Sequence, residues 1–210
     1  MARPALTAEQ RTAVERRQQR QLLRGMAEVI ADKGYGATTI ADVVRAAHVS
    51  KSTFYAHFTD KEECYVALFS AASDNVLAAM VEAHHDAGAQ DLPWRDHLRA
   101  VNEAYLDMLA AGGGLTQSLL VEVQTAGPAA LRMRRDIFGR YVRLMRGVAD
   151  ELRRADPRLR PVRPETALAI VGGINELVAE AIGDGPVADI VGLADVATDL
   201  WAAVLTSAAG

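Results

Sequence analysis

Between Thr39 and Lys61 the chain gathers hydroxyls, amines and an imidazole in one short stretch: Thr39, Ser50, Lys51, Ser52, Thr53, Tyr55, His57 and Lys61. Phosphate oxygens require donors of these kinds, and short side chains such as Ser and Ala let a helix approach base edges closely. Catalysis is poorly served. The Ser and His residues lack a third orienting group at recognisable spacing, and the sequence holds no nucleophile elbow, phosphate-binding glycine loop or CxxC pair. The chemistry on offer is recognition of a polyanion, and the chain does not read as an enzyme.

Those side chains need elements to position them. From Arg17 to Lys33, residues Leu22, Leu23, Met26, Val29 and Ile30 recur at helical spacing, and "KGYG" ends the run with a Gly free to take positive φ. Thr39 and Asp42 form a capping-box pattern that opens a helix of about two turns, with Ile40, Val43, Val44 and Ala47 on one face. Ser50 supplies the next N-cap, so His48 and Val49 form the turn and "KSTFYAHF" the following helix. On a wheel of about 100° per residue, Phe54 and Phe58 share the anchoring face, Ser52 and Ala56 point away, and Thr53 and Tyr55 lie on the flanks. Thr59 with Glu62, or Asp60 with Glu63, then caps a long helix running to about Ala89. Two short capped helices around a tight turn, the second with an exposed hydroxyl-rich face, make the helix-turn-helix pattern. An ordinary helical hairpin with a solvated face is the plainer alternative.

Charge favours the first reading. Residues 1–61 hold ten Lys or Arg against six Asp or Glu, whereas the remainder holds thirteen against twenty-one, so a basic head sits on an acidic body. Half of the residues are apolar and only 5% aromatic, with Ala, Leu and Val dominant, which predicts an all-α protein of about nine helices. The lone Cys64 rules out an internal disulfide, fits a reducing compartment and reads as a small buried hydrophobe. The N-terminus lacks the apolar run of a signal peptide, and the longest uncharged run, Met108 to Val121, is too short to span a bilayer, so a cytoplasmic location without membrane contact is expected.

"TTIADVVRAAHVSKSTFYAHFTDKEE" resembles the DNA-binding signature of the tetracycline-repressor (TetR) family of bacterial transcriptional regulators. The likeness covers about residues 17–70; the remaining chain matches only in helix count and lengths. The resemblance implies a homodimer that presents two recognition helices to successive turns of a near-palindromic operator on double-stranded DNA. It implies that Ser50, Lys51, Ser52, Thr53 and Ala56 belong to the base-reading helix, with Ala41 and Arg45 assisting, and that Thr39, Tyr55, His57 and Lys61 hold phosphates. Lys61 would do so at a helix N-terminus, where the helix dipole favours an anionic oxygen. Two positions depart from the pattern. His48 stands where the family commonly has Gly in the turn, and Ser52 where Gly is common. The resulting division is a basic arm over 1–16, a DNA-binding head over 17–65 and a regulatory body over 66–210. Arg3, Arg11, Arg16, Arg17 and Arg20 give the arm its charge, and its lack of an apolar face predicts disorder without DNA.

In that family the body encloses a small-molecule pocket. Candidate lining residues are Tyr105, Met108, Gln117, Glu122, Phe138, Tyr141, Met145 and Asn175, which combine apolar bulk with occasional polar groups; plain core packing is the competing reading. Gly172 and Gly173 sit inside a helical pattern at a cost of about 1 kcal/mol each against Ala, which close approach at a dimer interface or room for a ligand would offset. Ile190, Leu193, Ala197, Leu200, Trp201 and Val204 form an apolar stripe in the last helix, and with its partner helix this predicts a symmetric four-helix contact. His84, His85 and Asp86 cluster with His97 not far along, yet consecutive histidines on a helix diverge by about 100°, so no metal site and no cofactor is expected. The functional expectation is a repressor released by a small apolar effector. The alternative is a helical small-molecule binding protein without operator-specific function.

Overall fold

The computed structural model describes residues 7–184 and 186–207. Among these there are nine α-helices and no strand: α1 (Ala8–Ala37), α2 (Ile40–Ala46), α3 (Lys51–His57), α4 (Lys61–Ala89), α5 (Trp94–Gly112), α6 (Gly114–Val121), α7 (Pro128–Ala155), α8 (Pro164–Asp184) and α9 (Ala194–Thr206). Glu122–Thr125 and Val187–Leu193 are 3₁₀ turns. The last apolar run, read from sequence as a single helix, is therefore split by a tighter turn before α9.

The head forms where the capping chemistry requires it. The Thr39 hydroxyl accepts from Asp42 N and the Asp42 carboxylate accepts from Thr39 N, the reciprocal capping box that starts α2. Ser50 accepts from Thr53 N at 3.1 Å to start α3, and Asp60 accepts from Glu63 N at 2.8 Å to start α4. Thr59 binds the Glu63 carboxylate through both its N–H and its hydroxyl, which holds that carboxyl below its ordinary pKa. Phe54 and Phe58 of α3 are buried with Leu22, Met26, Ile30 and Val43. His48 takes φ 53°, so the turn adopts the left-handed conformation with a residue that tolerates it.

Helix α1 departs from expectation at its start. It begins nine residues before Arg17, at Ala8, because Thr7 and Gln10 form a capping box of their own. The described part of the arm is therefore helical, though every residue from Thr7 to Arg17 is exposed; Arg3 lies outside the described residues. At the far end Gly34 takes φ 77°, kinking the chain before one last turn.

Helix α4 runs from the head into the body, where it packs on α5 and α7 while α5 packs on α9 and α7 on α8. Lys61–Ala89 and Pro164–Gly183 have the length and hydropathy of a membrane span. Part of each is buried against neighbouring helices, including Tyr65, Leu68 and Met80 on α4 and Ile170, Ile174 and Val178 on α8. Pro128 fills the first position of α7, and the Glu62 carboxylate of α4 accepts from Ala129 N at 2.8 Å, capping α7 from another helix.

Candidate nucleic-acid interface and body cavity

On α3 the structure brings Lys51, Ser52, Tyr55 and Ala56 to the surface beside Ser50, with Thr53 and His57 half-buried on its edges. Tyr55 is 58% exposed, its ring standing edge-on to Phe54 with centroids 5.5 Å apart, so its hydroxyl projects from an anchored base. Ser50 Oγ lies 2.7 Å from Ser52 Oγ and 2.9 Å from Thr53 Oγ1, a hydroxyl chain along the start of the helix. His57 Nε2 lies 3.2 Å from Gln18 Oε1; an amide oxygen only accepts, so the ring proton sits on Nε2 and the end of α3 is tied to α1.

On α2, Arg45 is exposed and Ala41 half-buried. Thr39 donates its hydroxyl to Asp42 Oδ2 at 2.6 Å, and the same carboxylate takes Lys33 Nζ at 2.6 Å and Arg45 Nη1 at 3.3 Å. The hydrogen bond from Lys33, then those from Thr39, hold the Asp42 carboxyl well below the usual carboxylate range. The Thr39 hydroxyl proton is therefore already engaged by Asp42.

Lys61, expected to hold a phosphate, has its ammonium engaged within the protomer. Its Nζ donates to Tyr35 O at 2.9 Å and Thr38 O at 3.0 Å and sits 4.1 Å from the centre of the Tyr35 ring. Burial lowers its pKa, with the Glu122 charge opposing. Lys61 clamps the end of α1 to the start of α4, and the carbonyls it satisfies have no other cation on them among the described contacts.

A joint between head and body lies directly beneath. Glu122 Oε2 accepts from Tyr35 N at 2.7 Å and from the Ser118 hydroxyl. Tyr35 donates its hydroxyl to Ala126 O at 3.3 Å, stacks on Tyr65 at 4.4 Å, and Tyr65 in turn donates to Ser118 O at 3.1 Å. Glu122 is thus a structural acceptor rather than the pocket residue expected from sequence. The reason is position: the 3₁₀ turn after α6 swings it toward α1.

A cavity of about 260 Å³ lies in the body between α4, α5, α6, α7 and α8. Tyr105, Met108, Phe138, Tyr141 and Asn175 line it as expected, and Met145 lines a small adjoining space. Gln117 is exposed and outside it, because the short α6 turns Leu115, Thr116, Leu119 and Leu120 inward instead. No charged side chain lines the cavity. Three of its polar side chains are paired: Tyr105 donates to Asn175 Oδ1 at 3.0 Å, Asn175 Nδ2 to Val171 O at 2.8 Å, and Thr116 to Leu109 O at 2.6 Å; Ser73, Asn75 and the Tyr141 hydroxyl line the space as well. Burial raises the pKa of Tyr105 and pushes that of Tyr141 up to about 12, so both stay neutral. The space is mainly apolar, with a few neutral polar groups in its wall.

The stripe expected at a dimer contact divides in two. Ile190, Ala197 and Trp201 are buried inside the protomer at 0%, 1% and 0% exposure, which corrects their assignment. Leu200 is exposed, with Leu193 and Val204 half-buried, and Leu168, Leu177 and Val196 join it on the outer face of α8 and α9. Gly172 and Gly173 lie between Leu168 and Leu177 in sequence, and a Cβ at either would meet open space. Nothing within the protomer explains them. The histidines also behave differently from expectation: His84 Nδ1 meets His97 Nε2 at 2.7 Å and His84 Nε2 meets Glu151 at 3.0 Å, a chain joining α4, α5 and α7. Among the described residues no group of three or more ligands is placed to hold a metal.

Residues 22–68 match a family described as bacterial regulatory proteins, tetR family. The HTH-type transcriptional activator FasR of Mycolicibacterium smegmatis is 34% identical over 89 residues, covering 42% of this chain and 39% of that protein. The HTH-type transcriptional regulator TcmR of Streptomyces glaucescens is 30% identical over 135 residues, covering 62% and 59%. The chain thus spans less than two thirds of the length of either relative. Among solved structures, the transcriptional regulator FadR of Bacillus subtilis in complex with stearoyl-CoA aligns with a TM-score of 0.73 at 17% identity, covering 90% of this chain and 99% of that one. The fatty acid degradation regulator FadR of Bacillus halodurans aligns with a TM-score of 0.75 at 17% identity, covering 88% and 94%. At that identity the two structures share the fold. Over residues 22–68, its head, the chain is similar to the tetR family of bacterial regulatory proteins.

Proposed function

We propose that this chain is a transcriptional repressor that binds a near-palindromic operator as a homodimer and leaves it when a small, largely apolar molecule fills the body cavity. One observation carries the reading. Leu115, Thr116 and Leu119 of α6 line the cavity, while Ser118 and Glu122 of the same segment hold Tyr65 and Tyr35 at the base of the head. A ligand that displaces α6 therefore pulls on the last turn of α1 and on α4, and two recognition helices must stay about 34 Å apart to read successive turns of DNA. Coupling requires that the ligand bind the displaced state better than the DNA-competent one; a differential of about 1–3 kcal/mol releases operator roughly 5- to 150-fold. The contact that pairs two protomers is the outer face of α8 and α9, with Leu168, Leu177, Val196 and Leu200 around the open Gly172 and Gly173.

The cavity holds about nine non-hydrogen atoms if each takes the roughly 30 Å³ of a liquid water molecule. Together with the stearoyl-CoA in the Bacillus subtilis structure, that size favours an acyl chain of medium length as effector, a full stearoyl chain needing a wider cavity. A second reading, activation, is favoured by the name of the relative FasR. The test is a gel shift on the intergenic DNA upstream of this chain's own reading frame, titrated with medium-chain fatty acids and their CoA thioesters, beside a promoter fusion. Loss of the shifted band with derepression supports the proposal. Binding of these compounds to a chain that never shifts DNA would establish the small-molecule binding protein instead.

A further inference from the structure

We propose that the first three turns of α1, Ala8–Gln18, form a second DNA-contacting element that reaches past the recognition helix and places Arg11 on the phosphate backbone outside the major-groove contact. The inference rests on the DNA-binding reading above and adds a surface to it.

Topology supplies the direction. The C-terminal end of α1 docks on the body: a Cβ built on Gly114 of α6 would sit 2.7 Å from Ala31 O, and Tyr35 N is held by Glu122. Further toward the N-terminus, Gln18 touches His57 at the end of the recognition helix. Helix α1 therefore runs from the body past the end of α3, and its first turns extend beyond that contact. From Gln18 to Ala8 the helix runs on for roughly 15 Å at 1.5 Å per residue.

This extension has no partner within the protomer. Leu22 is the first fully buried residue of α1, and from Thr7 to Arg17 every residue is exposed. A helix of that length is marginal in water by itself. It is held here by continuity with the packed half of α1 and by the Thr7–Gln10 capping box, with Gln10 N donating to Thr7 Oγ1 at 3.2 Å and Thr7 N to Gln10 Oε1 at 2.9 Å. Its composition is basic, with Arg11, Arg16, Arg17 and Arg20 against Glu9 and Glu15. None of these arginines takes part in an ion pair among the described residues, although Arg11 and Glu15 stand one turn apart.

Helical phase selects the contact. Arg11 precedes Gln18 by seven residues, which returns it to within about 20° of the face that Gln18 turns to His57 and sets it roughly 10 Å farther out. That distance equals about three base-pair rises of 3.4 Å. Arg20 lies roughly 160° from Gln18 and, with Arg17 and Arg24, lines a groove on another flank beside Leu23, Ala27 and Leu68. A guanidinium on the His57 side thus extends the row of donors formed by Tyr55 and His57 toward the neighbouring phosphates, as the basic arms of other helical DNA readers do.

The experiment measures affinity by fluorescence anisotropy for a duplex taken from the upstream intergenic region, over a range of salt, using the full chain and its Arg11→Ala, Arg11→Lys, Arg20→Ala and Lys51→Ala variants. Arg11→Ala should flatten the slope of log K against log salt by about 0.9, one phosphate contact, and Arg11→Lys should restore it. Arg20→Ala should match the wild type. Hydroxyl-radical protection should retreat by about three base pairs at each outer edge in Arg11→Ala alone. An unchanged slope and footprint in Arg11→Ala, with binding still weakened by Lys51→Ala, would overturn the extension while leaving the recognition helix in place. A wild-type chain without salt-dependent DNA binding would overturn both.

Discussion

Gly25 lies in the middle of α1, where replacing Gly by Ala ordinarily gains about 1 kcal/mol from backbone entropy. At this position the sign should reverse. A Cβ built on Gly25 would stand 2.7 Å from Val43 O, 2.7 Å from Ala47 N and 2.9 Å from Ala47 Cβ, whereas ordinary contact begins at 3.4 Å. Two of the three clashing atoms belong to the α2 backbone, so no side-chain rotation relieves them and α2 must move by about 0.7 Å relative to α1. Overpacking of this kind costs about 1–3 kcal/mol, and with rigid backbone on both sides the upper end applies, leaving a net loss of about 2 kcal/mol after the propensity gain. For a chain of this length that lowers the melting temperature by roughly 4–8 °C. Gly147, in the interior of α7 with open space around its added Cβ, is the matched control. Gly147→Ala should gain about 1 kcal/mol and melt roughly 2–4 °C higher. The assay is thermal unfolding followed by far-ultraviolet circular dichroism at fixed protein concentration, with DNA affinity measured on the same samples, since a shift of α2 also displaces α3. If Gly25→Ala melts as high as Gly147→Ala, the close crossing of α1 and α2 is refuted.

Leu200→Asp is expected to yield a folded monomer that binds a palindromic duplex poorly, whereas Trp201→Ala should destabilise the protomer itself by about 3–5 kcal/mol; sedimentation and thermal melts separate the two, and monomerisation by Trp201→Ala with unchanged melting would contradict the burial of its ring. Lys61→Ala should cost about 1–3 kcal/mol of stability by stranding the Thr38 carbonyl, Tyr35 O keeping its bond from Thr38 N, with the salt dependence of DNA binding unaltered; a slope reduced by about one would instead make Lys61 a phosphate ligand. Burial pushes the Cys64 thiol up to about 12 from an ordinary 9.0, with Glu63 adding to the effect. The folded state therefore keeps a proton that the unfolded state loses above pH 9, so stability should fall by about 1.4 kcal/mol per pH unit from there toward pH 12, and Cys64→Ala should flatten that fall in alkaline denaturation curves.

The head was legible because its signals are local. Thr39 with Asp42, Ser50 with Thr53 and Asp60 with Glu63 each act over three residues, and the structure starts α2, α3 and α4 at those caps. Phe54 and Phe58 were assigned to the buried face of α3 by helical phase alone, and they are buried. The positive φ at His48 follows from the turn it must make. Five of the eight expected cavity residues line the main space, since aromatic and polar side chains on an inward helical face have few other places to go.

What failed was every assignment that needed a distant partner. Lys61 finds its acceptors on residues 26 and 23 positions earlier in the chain, and Glu122 finds Tyr35 across 87 positions, distances over which no periodicity carries information. Gly25 drew no attention from its neighbours in sequence; only the crossing of α2 makes it indispensable. His84 and His97 meet through the packing of α4 on α5, though neither helix alone brings them together. Leu200 and Trp201 show the limit most sharply. The sequence by itself determined that both sit in an apolar helix, that the fold is all-α and that the head carries a row of hydrogen-bond donors. Only the tertiary structure decided that Trp201 turns into its own protomer and Leu200 out of it, because two apolar neighbours about 100° apart look alike until another helix occupies one side.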